Sequence, residues 1–405
     1  LIDTPAIVII GGGHAAAALC AAISAAPLGP PVHLVCDEPV LPYQRPPLSK
    51  AYLKNPQEAL QHFRSADWYA AAGITVHLDD AAVALHRARQ TVQLRSGREL
   101  RYSRVVLATG ARARRLPGLP TSLDNVLTLR SAADAEQLRT QLAAASQITV
   151  LGGGFIGLEI AAAARQLGKA VTVLESAPRL LGRSVSAPLA EHVLQAHRAS
   201  GVELRVGVQV DRFEVDGRRL AALHANGLRE TVELLVLGIG AAPEQSLAQA
   251  AGLACDNGIV VDACLRSSDP AILALGDCAS FVDAGSGQRL RLESVPNATD
   301  QARTALATLA GREEPYRALP WFWSEQGGLR LQMAGLLPAG TTAHRRVGAN
   351  AASFSLWHYL ADHLVCVESV NAPMDHMSAR KLLESGRHPS PALVADAATA
   401  LKSLG

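Results

Sequence analysis

Short apolar runs that stop at glycine, each followed by a long alanine-rich stretch, set the pattern of this chain's first half. Ala6-Ile7-Val8-Ile9-Ile10 passes without a polar break into Gly11-Gly12-Gly13-His14-Ala15-Ala16. An unbroken β-branched run ended by glycine predicts a strand buried on both faces, as in a parallel sheet. The alanine-rich stretch predicts a helix, and Val32-His33-Leu34-Val35-Cys36 a second strand that ends at Asp37. The order then repeats. Ile148-Thr149-Val150-Leu151 runs into Gly152-Gly153-Gly154-Phe155-Ile156-Gly157, a helix follows, and the strand Ala170 to Leu174 ends at Glu175. Two further apolar runs, Arg104 to Gly110 and Ala271 to Asp277, close on Ala-Thr-Gly and Gly-Asp. Near the end of the chain, Leu329 to Leu336, Phe354 to Tyr359 and Leu364 to Val370 predict strands, with helices after Met377.

The repeated unit has a chemical reading. The first glycine (Gly11, Gly152) permits a tight strand-to-helix turn, and the second (Gly13, Gly154) lets the backbone approach a pyrophosphate. The third position (Ala16, Gly157) lets the helix pack against the strand. The free N–H groups of the helix start and the helix dipole then favour a diphosphate. Asp37 and Glu175 stand where an acid accepts hydrogen bonds from ribose hydroxyls. One such turn is weak evidence, but two, each inside a strand–turn–helix–strand–acid unit, predict two dinucleotides and an electron relay between them. A carboxylate at Glu175 favours NADH over NADPH, with Arg179 and Arg183 the nearest cations that could argue otherwise.

Composition narrows the setting. At 405 residues, with 49% hydrophobic and 18% charged residues, the chain predicts two or three well-buried domains. A net charge of +2 excludes a general polycation, so no nucleic-acid partner is expected. The six cysteines show no C-x-x-C or zinc spacing, so no metal site is expected and reduced thiols in a cytoplasmic protein are. Thr4 to Val32 carries no charged side chain, but its glycines and prolines fit a buried strand, turn and helix better than a membrane anchor.

The double repeat with the Ala-Thr-Gly and Gly-Asp strands resembles the glutathione-reductase-like flavoprotein superfamily. That resemblance implies an α/β fold with two Rossmann-type dinucleotide-binding domains and a C-terminal α+β interface domain. It implies FAD in the first unit and the nicotinamide nucleotide in the second. The stretch Tyr43-Gln44-Arg45-Pro46-Pro47-Leu48-Ser49-Lys50 narrows it further, together with Gly152 to Glu159, Arg291 to Arg303 and Pro320 to Gln326. These resemble the ferredoxin and rubredoxin reductases of bacterial oxygenase systems. His14, where leucine is usual, and Gln44-Arg45 are small departures. The redox cysteines of the superfamily's disulfide reductases and peroxidases are missing, and Cys36 reads as structural.

By position, the resemblance assigns FAD contacts to Ala15, Asp37, Lys50, Val83, Arg130, Asp277 and Val295, and adds Gly240 to the nucleotide-binding set. It places Lys50 beside flavin N5, paired with Glu159, and Trp323, supported by Trp321, on the face that meets the ferredoxin. The implied domains are 1–114 and 236–318 for FAD, 115–235 for NADH, and 319–405 as the interface domain. The implied reaction takes hydride from NADH onto FAD and passes single electrons to a [2Fe–2S] ferredoxin, or a rubredoxin, that feeds an oxygenase. The protein would act as a monomer or weak dimer. An NADH oxidase, or a regulatory flavoprotein of the apoptosis-inducing-factor kind, are the rival readings. The implied partner is acidic, which marks Arg291, Arg303, Arg330, Arg345, Arg346, Arg380 and Lys381 as docking cations.

Overall fold

The computed structural model describes residues 2–182, 184–348, 350 and 352–404, with residues 2 and 3 described in backbone only. The chain divides into two compact units. The first comprises residues up to Arg45, Ala59–Arg112 and Ala241–Ala318. Its seven-stranded sheet runs Ile74–His77, Val32–Val35, Ile2–Ile10, Glu99–Leu107, Thr91–Leu94, Ala82–His86, with Ile272–Ala274 also paired to Glu99–Leu107. The strands from Ile74–His77 to Glu99–Leu107, and Ile272–Ala274, are parallel. The other two form an antiparallel extension. Ala6 to Ile10 are all buried, as the unbroken apolar run requires of a central strand. The helix His14–Ala25 packs against the helix Val295–Leu309. Buried alanines on both helices, Ala15, Ala16 and Ala17 on one and Ala298, Ala302 and Ala305 on the other, leave little side-chain volume between them.

The second unit comprises Pro46–Glu58, Ala113–Gly240 and the chain from Leu319 onward. Its parallel sheet runs Glu203–Val206, Ala170–Glu175, Gln147–Leu151, Leu235–Leu237, Val126–Leu127. The glycine-ended strand again lies inside the sheet, so chain connections leave it on both sides. In such a sheet the crevice at the carboxyl ends of the strands is where ligands bind. An antiparallel meander, Val210–Asp216, Arg219–Ala225 and Leu228–Thr231, departs from this sheet. Its second turn is Asn226-Gly227, with φ of 49° and 77°, the left-handed pair that a two-residue hairpin demands.

From Trp321 the same unit builds a five-stranded antiparallel sheet in the order Trp321–Gln326, Leu329–Gly335, His363–Val370, Phe354–Leu360, Thr342–Val347. The expected strands are present. The expected helix begins earlier than Met377, over Pro373–Glu384, because Pro373 sits in its first turn, where a missing N–H costs nothing. Among the described residues, no helix is long and apolar enough to cross a membrane.

Several of the proposed docking cations are otherwise engaged. Arg346 is buried, and its guanidinium donates to the carbonyls of Val394, Asp396, Ala397 and Thr399. It is the clasp of the C-terminal segment, not a surface charge. Arg345, the next residue on the strand, faces outward and covers the Phe354 ring at 4.3 Å. Arg291 is also largely buried, donating to the Asp277 carbonyl at 3.1 Å and pairing with Glu293. Arg380 lies over the Trp321 ring at 4.4 Å.

Arg346→Met should therefore free the C-terminal segment. The Val394 carbonyl is buried and would be left without this donor, whereas those of Asp396, Ala397 and Thr399 belong to exposed or half-buried residues that water can reach. The loss is therefore about 2–4 kcal/mol, below the sum of roughly 1–3 for each fully buried group. Limited proteolysis should cut the variant first near Val394, while Arg345→Met should be cut at the wild-type rate. Equal resistance of the two variants would contradict the clasp.

Candidate functional site

Each unit carries one glycine turn built in the same way. In the first, Gly11 has φ of +125°, and a Cβ there would lie 2.1 Å from the Ala108 carbonyl oxygen. The close pass seats the turn on the Ala108-Thr109-Gly110 end of the neighbouring strand. A Cβ on Gly12 would lie 3.1 Å from Cys36 Sγ, whereas at Gly13 the nearest atom is Arg45 Nε at 4.0 Å. Gly13 is the N-cap of the helix His14–Ala25, and no side chain caps it. Elsewhere serines do cap helices: Ser65, Ser131, Ser186 and Ser294. The first helix thus keeps its N-terminal donors for an anion. Ala15 and Ala16 are buried in its first turn.

The Gly-Asp turn reaches the same place. Gly276 has φ of +78°, and a Cβ on it would lie 3.2 Å from the Ala15 methyl, which brings Asp277 to the start of that helix. Asp37 follows the second strand with its side chain 71% exposed, and its carboxylate pairs with Arg95. Val295 opens the helix Val295–Leu309. Val83 stands exposed on the edge strand Ala82–His86.

The second cradle is tighter at Gly153 and Gly157, and a Cβ on Gly153 would lie 2.5 Å from a Leu180 methyl. Gly152 has φ of +112°, and a Cβ on it would lie 2.4 Å from the Gly238 carbonyl oxygen. A Cβ on Gly157 would meet the Gly152 carbonyl oxygen at 2.2 Å, so only glycine lets this helix approach its strand. Gly154 caps the helix Phe155–Gln166 without a side-chain bond. Glu175 is locked in place: Oε2 accepts from the Gly153 N–H at 2.6 Å and Oε1 from the Ala177 N–H at 2.7 Å. Arg179 turns away from it, donating to the carbonyls of Gly182 at 2.7 Å and Val185 at 2.8 Å. Arg183 lies outside the described residues. Arg130 shares its backbone N–H with Asp134 at 2.9 Å, and Gly240, with φ of +94°, accepts from the Arg114 N–H. Both cradles fit a diphosphate, with side-chain volume removed where the ligand must approach and helix donors left open.

The third assembly centres on Glu159. The helix Phe155–Gln166 is buried over Gly157–Ala164, so this carboxylate must find its partners inside the protein. Lys50 Nζ reaches Oε2 at 2.8 Å and Ser49 Oγ donates to the same oxygen at 2.5 Å, while Ser324 Oγ donates to Oε1 at 2.6 Å. Pro46 and Pro47 start a 3-10 turn that aims Lys50. The following turn is pinned by Leu53 in the core and by Tyr52, which donates to Glu136 at 2.9 Å. Trp323 stacks on Trp321 with centroids 5.5 Å apart. Ser49 and Ser324 lie in two of the stretches that carry the resemblance, but a single hydroxyl has no spacing signature that would assign it a role.

The thiols do not form a redox centre. All six cysteines are free, and burial pushes Cys20 and Cys36 up to about 12, leaving too little thiolate at neutral pH for nucleophilic work. Among the described residues, no group of three or more histidine, cysteine or acidic side chains could hold a metal ion.

Comparison with known proteins agrees with this geometry. The pyridine nucleotide-disulphide oxidoreductase family matches residues 5–302, and the reductase C-terminal family matches residues 321–405. Rhodocoxin reductase of Rhodococcus erythropolis is 41% identical over 392 residues, spanning 96% of this chain and 92% of that protein. Among solved structures, the ferredoxin reductase for the CYP199A2 system from Rhodopseudomonas palustris superposes with a TM-score of 0.94 at 39% identity, covering 98% of this chain and 99% of that one. The reductase in the covalent putidaredoxin reductase–putidaredoxin complex gives a TM-score of 0.94 at 37% identity, covering 100% and 98%.

The two cradles should fail separately. Gly11→Val should yield a protein purified without yellow colour, because its side chain would collide with the Ala108 carbonyl. Gly157→Val should keep the colour and lose NADH binding, measured by titration calorimetry. A yellow Gly11→Val protein, or unaltered NADH affinity in Gly157→Val, would contradict this assignment.

Proposed function

The chain belongs to the pyridine nucleotide-disulphide oxidoreductase family, with the reductase C-terminal module appended, and from that membership we propose that it is an NADH-dependent ferredoxin reductase of an oxygenase system. FAD and NAD(H) are its cofactors. The observation that carries the reading is the pair of uncapped glycine cradles, one in each unit, in a chain whose six free thiols are all pushed up by burial. FAD supplies the conversion that nicotinamide cannot make alone, from a two-electron hydride donor to a one-electron iron–sulfur acceptor.

The chain's residues have distinct tasks in this reading. Gly11, Gly13, Ala15 and Ala16 hold the FAD diphosphate, with Asp37 on its ribose and Asp277 on the ribityl chain. Val83, Val295 and Arg130 complete the FAD contacts. Gly152, Gly154, Gly157 and Gly240 hold the nicotinamide nucleotide, and Glu175 accepts from its ribose hydroxyls. The clamped Glu175 carboxylate would repel a 2′-phosphate, and Arg179 is committed to loop carbonyls, so NADH is preferred. Lys50 acts on the flavin as an ammonium held by Glu159, and Trp323 serves the acceptor side. The FAD domain is 1–114 with 236–318, the NADH domain 115–235 and the interface domain 319–405. A cytoplasmic, monomeric or weakly dimeric protein suits a reductase fed by NADH and carrying only free thiols.

The deciding experiment is reduction of cytochrome c by NADH through an added [2Fe–2S] ferredoxin, with rubredoxin in parallel. A faster rate with rubredoxin would reassign the acceptor, and slow turnover with both would indicate a regulatory flavoprotein. Ferredoxin reduction should slow steeply with salt, since steering acts over roughly 10 Å at 0.1 M ionic strength, while reduction of the flavin by NADH should not. Glu175→Ala should lower the kcat/KM preference for NADH over NADPH about tenfold, the loss of ~1.4 kcal/mol of discrimination. A wild-type enzyme already faster with NADPH would show that Glu175 is misassigned.

A further inference from the structure

The hydrogen bonding of Glu159 continues beyond Lys50. On the other side of the carboxylate, Ser324 Oγ donates to Oε1 at 2.6 Å, Gln326 Nε2 donates to Ser324 Oγ at 3.2 Å, and Gln326 Oε1 lies 2.9 Å from His197 Nε2. Glu159, Ser324, Gln326 and His197 are 4%, 0%, 3% and 3% exposed, so no bulk water interrupts the chain. Ser324 and Gln326 alternate with Trp321 and Trp323 along the strand Trp321–Gln326. The strand therefore turns its hydroxyl and amide to one face and its two tryptophans to the other.

Proton counting fixes the direction of this chain. An ionised carboxylate only accepts, and Ser49, Lys50 and Ser324 all donate to it. Ser324 has one hydroxyl proton, so it must accept from Gln326. The Gln326 amide is then oriented with its oxygen toward His197, which must donate from Nε2. Burial holds His197 below its usual range, so the imidazole is neutral and the Nε2–H tautomer is required. Each dipole points its positive end toward Glu159, and such aligned chains reinforce one another in a low-dielectric interior.

We propose that Ser324, with Gln326 and His197 behind it, is a positioning residue that holds the Glu159 carboxylate aimed at Lys50, coupling the tryptophan-bearing strand to the lysine that serves the flavin. The coupling to catalysis rests on the ferredoxin-reductase reading, whereas the His197 tautomer does not. Ser324 touches no reacting atom. Its effect passes through Glu159 to the orientation of the Lys50 ammonium.

Two measurements test the proposal. Nitrogen-15 NMR of histidine-labelled holoprotein without nucleotide should show His197 as the Nε2–H tautomer, and Ser324→Ala should give a mixture of both tautomers. An Nδ1–H tautomer in the wild type would reverse the chain and overturn it. In stopped-flow reduction of the bound flavin by NADH, Ser324→Ala should slow the limiting rate about tenfold, the factor that ~1.4 kcal/mol of lost positioning produces, with NADH affinity and flavin content unchanged. Gln326→Met should slow it by a smaller factor, and Ser324→Thr should return it to within about twofold of wild type. A wild-type rate in Ser324→Ala, or a threonine variant no faster than alanine while still binding flavin and NADH, would overturn the proposal. Failure of the wild type itself to reduce its flavin with NADH would instead sink the reductase reading.

Discussion

One buried carboxylate organises much of the second unit. Glu159 lies in a helix that is buried over most of its length, and an ionised carboxylate without partners cannot be kept there. Its needs are met from two distant stretches of chain: the Pro46–Ser49 turn with Lys50, and the strand Trp321–Gln326. Hydrogen bonds to a charged group contribute about 1.5–3 kcal/mol each. Removing any one partner would leave the others facing an under-compensated charge. The same requirement explains why the short Pro46–Glu58 segment packs with the second unit even though the chain on either side of it belongs to the first.

The backbone supplies the other constraint. At Gly11 and Gly152 the chain passes so close to a neighbouring carbonyl that no Cβ fits, and both residues have the positive φ that glycine tolerates. Those two contacts set the angle at which each helix leaves its strand, and with it the direction of the open N–H groups. The third position shows how far the repetition goes. Gly157 has no room for a methyl against Gly152, whereas Ala16 already carries one and is fully buried. The second helix approaches its strand more closely than the first.

What could be read in advance followed from periodicity and backbone sterics. Unbroken apolar runs ending in glycine revealed both parallel sheets, and the acids after the second strands stood where the motif places them. The Lys50–Glu159 pair came from resemblance alone, because nothing in the local pattern joins two residues so far apart in sequence. Ser49, Ser324 and Gln326 lie inside stretches that carry the resemblance yet had no role assigned, and His197 had no signal, since a side chain recruited by tertiary packing leaves no period. Arg345 and Arg346 show a different limit. As a pair of adjacent cations they look equivalent, yet strand alternation sends one outward and buries the other under the C-terminal carbonyls. That alternation was available in the sequence and should have separated them. The Asn226-Gly227 turn was likewise legible, and its hairpin went unread beside the stronger signal of the glycine-rich turns.

The two acids proposed to meet the ribose hydroxyls differ in a way that suits two ligands of different residence. Asp37 is exposed and held by a surface arginine, a flexible arrangement that a bound nucleotide can itself complete. Glu175 is fixed beforehand, each oxygen taking a backbone N–H, with the following loop closed by Arg179 on two carbonyls. A cofactor that stays bound organises its pocket once. A substrate that leaves after every turnover would meet the cost of ordering a loose carboxylate each time it bound, at roughly 0.5–1.5 kcal/mol for each side chain immobilised. Preorganisation at Glu175 removes that cost from the step that repeats. The tighter cradle is therefore the one expected to exchange its nucleotide, and the looser one the one expected to keep it.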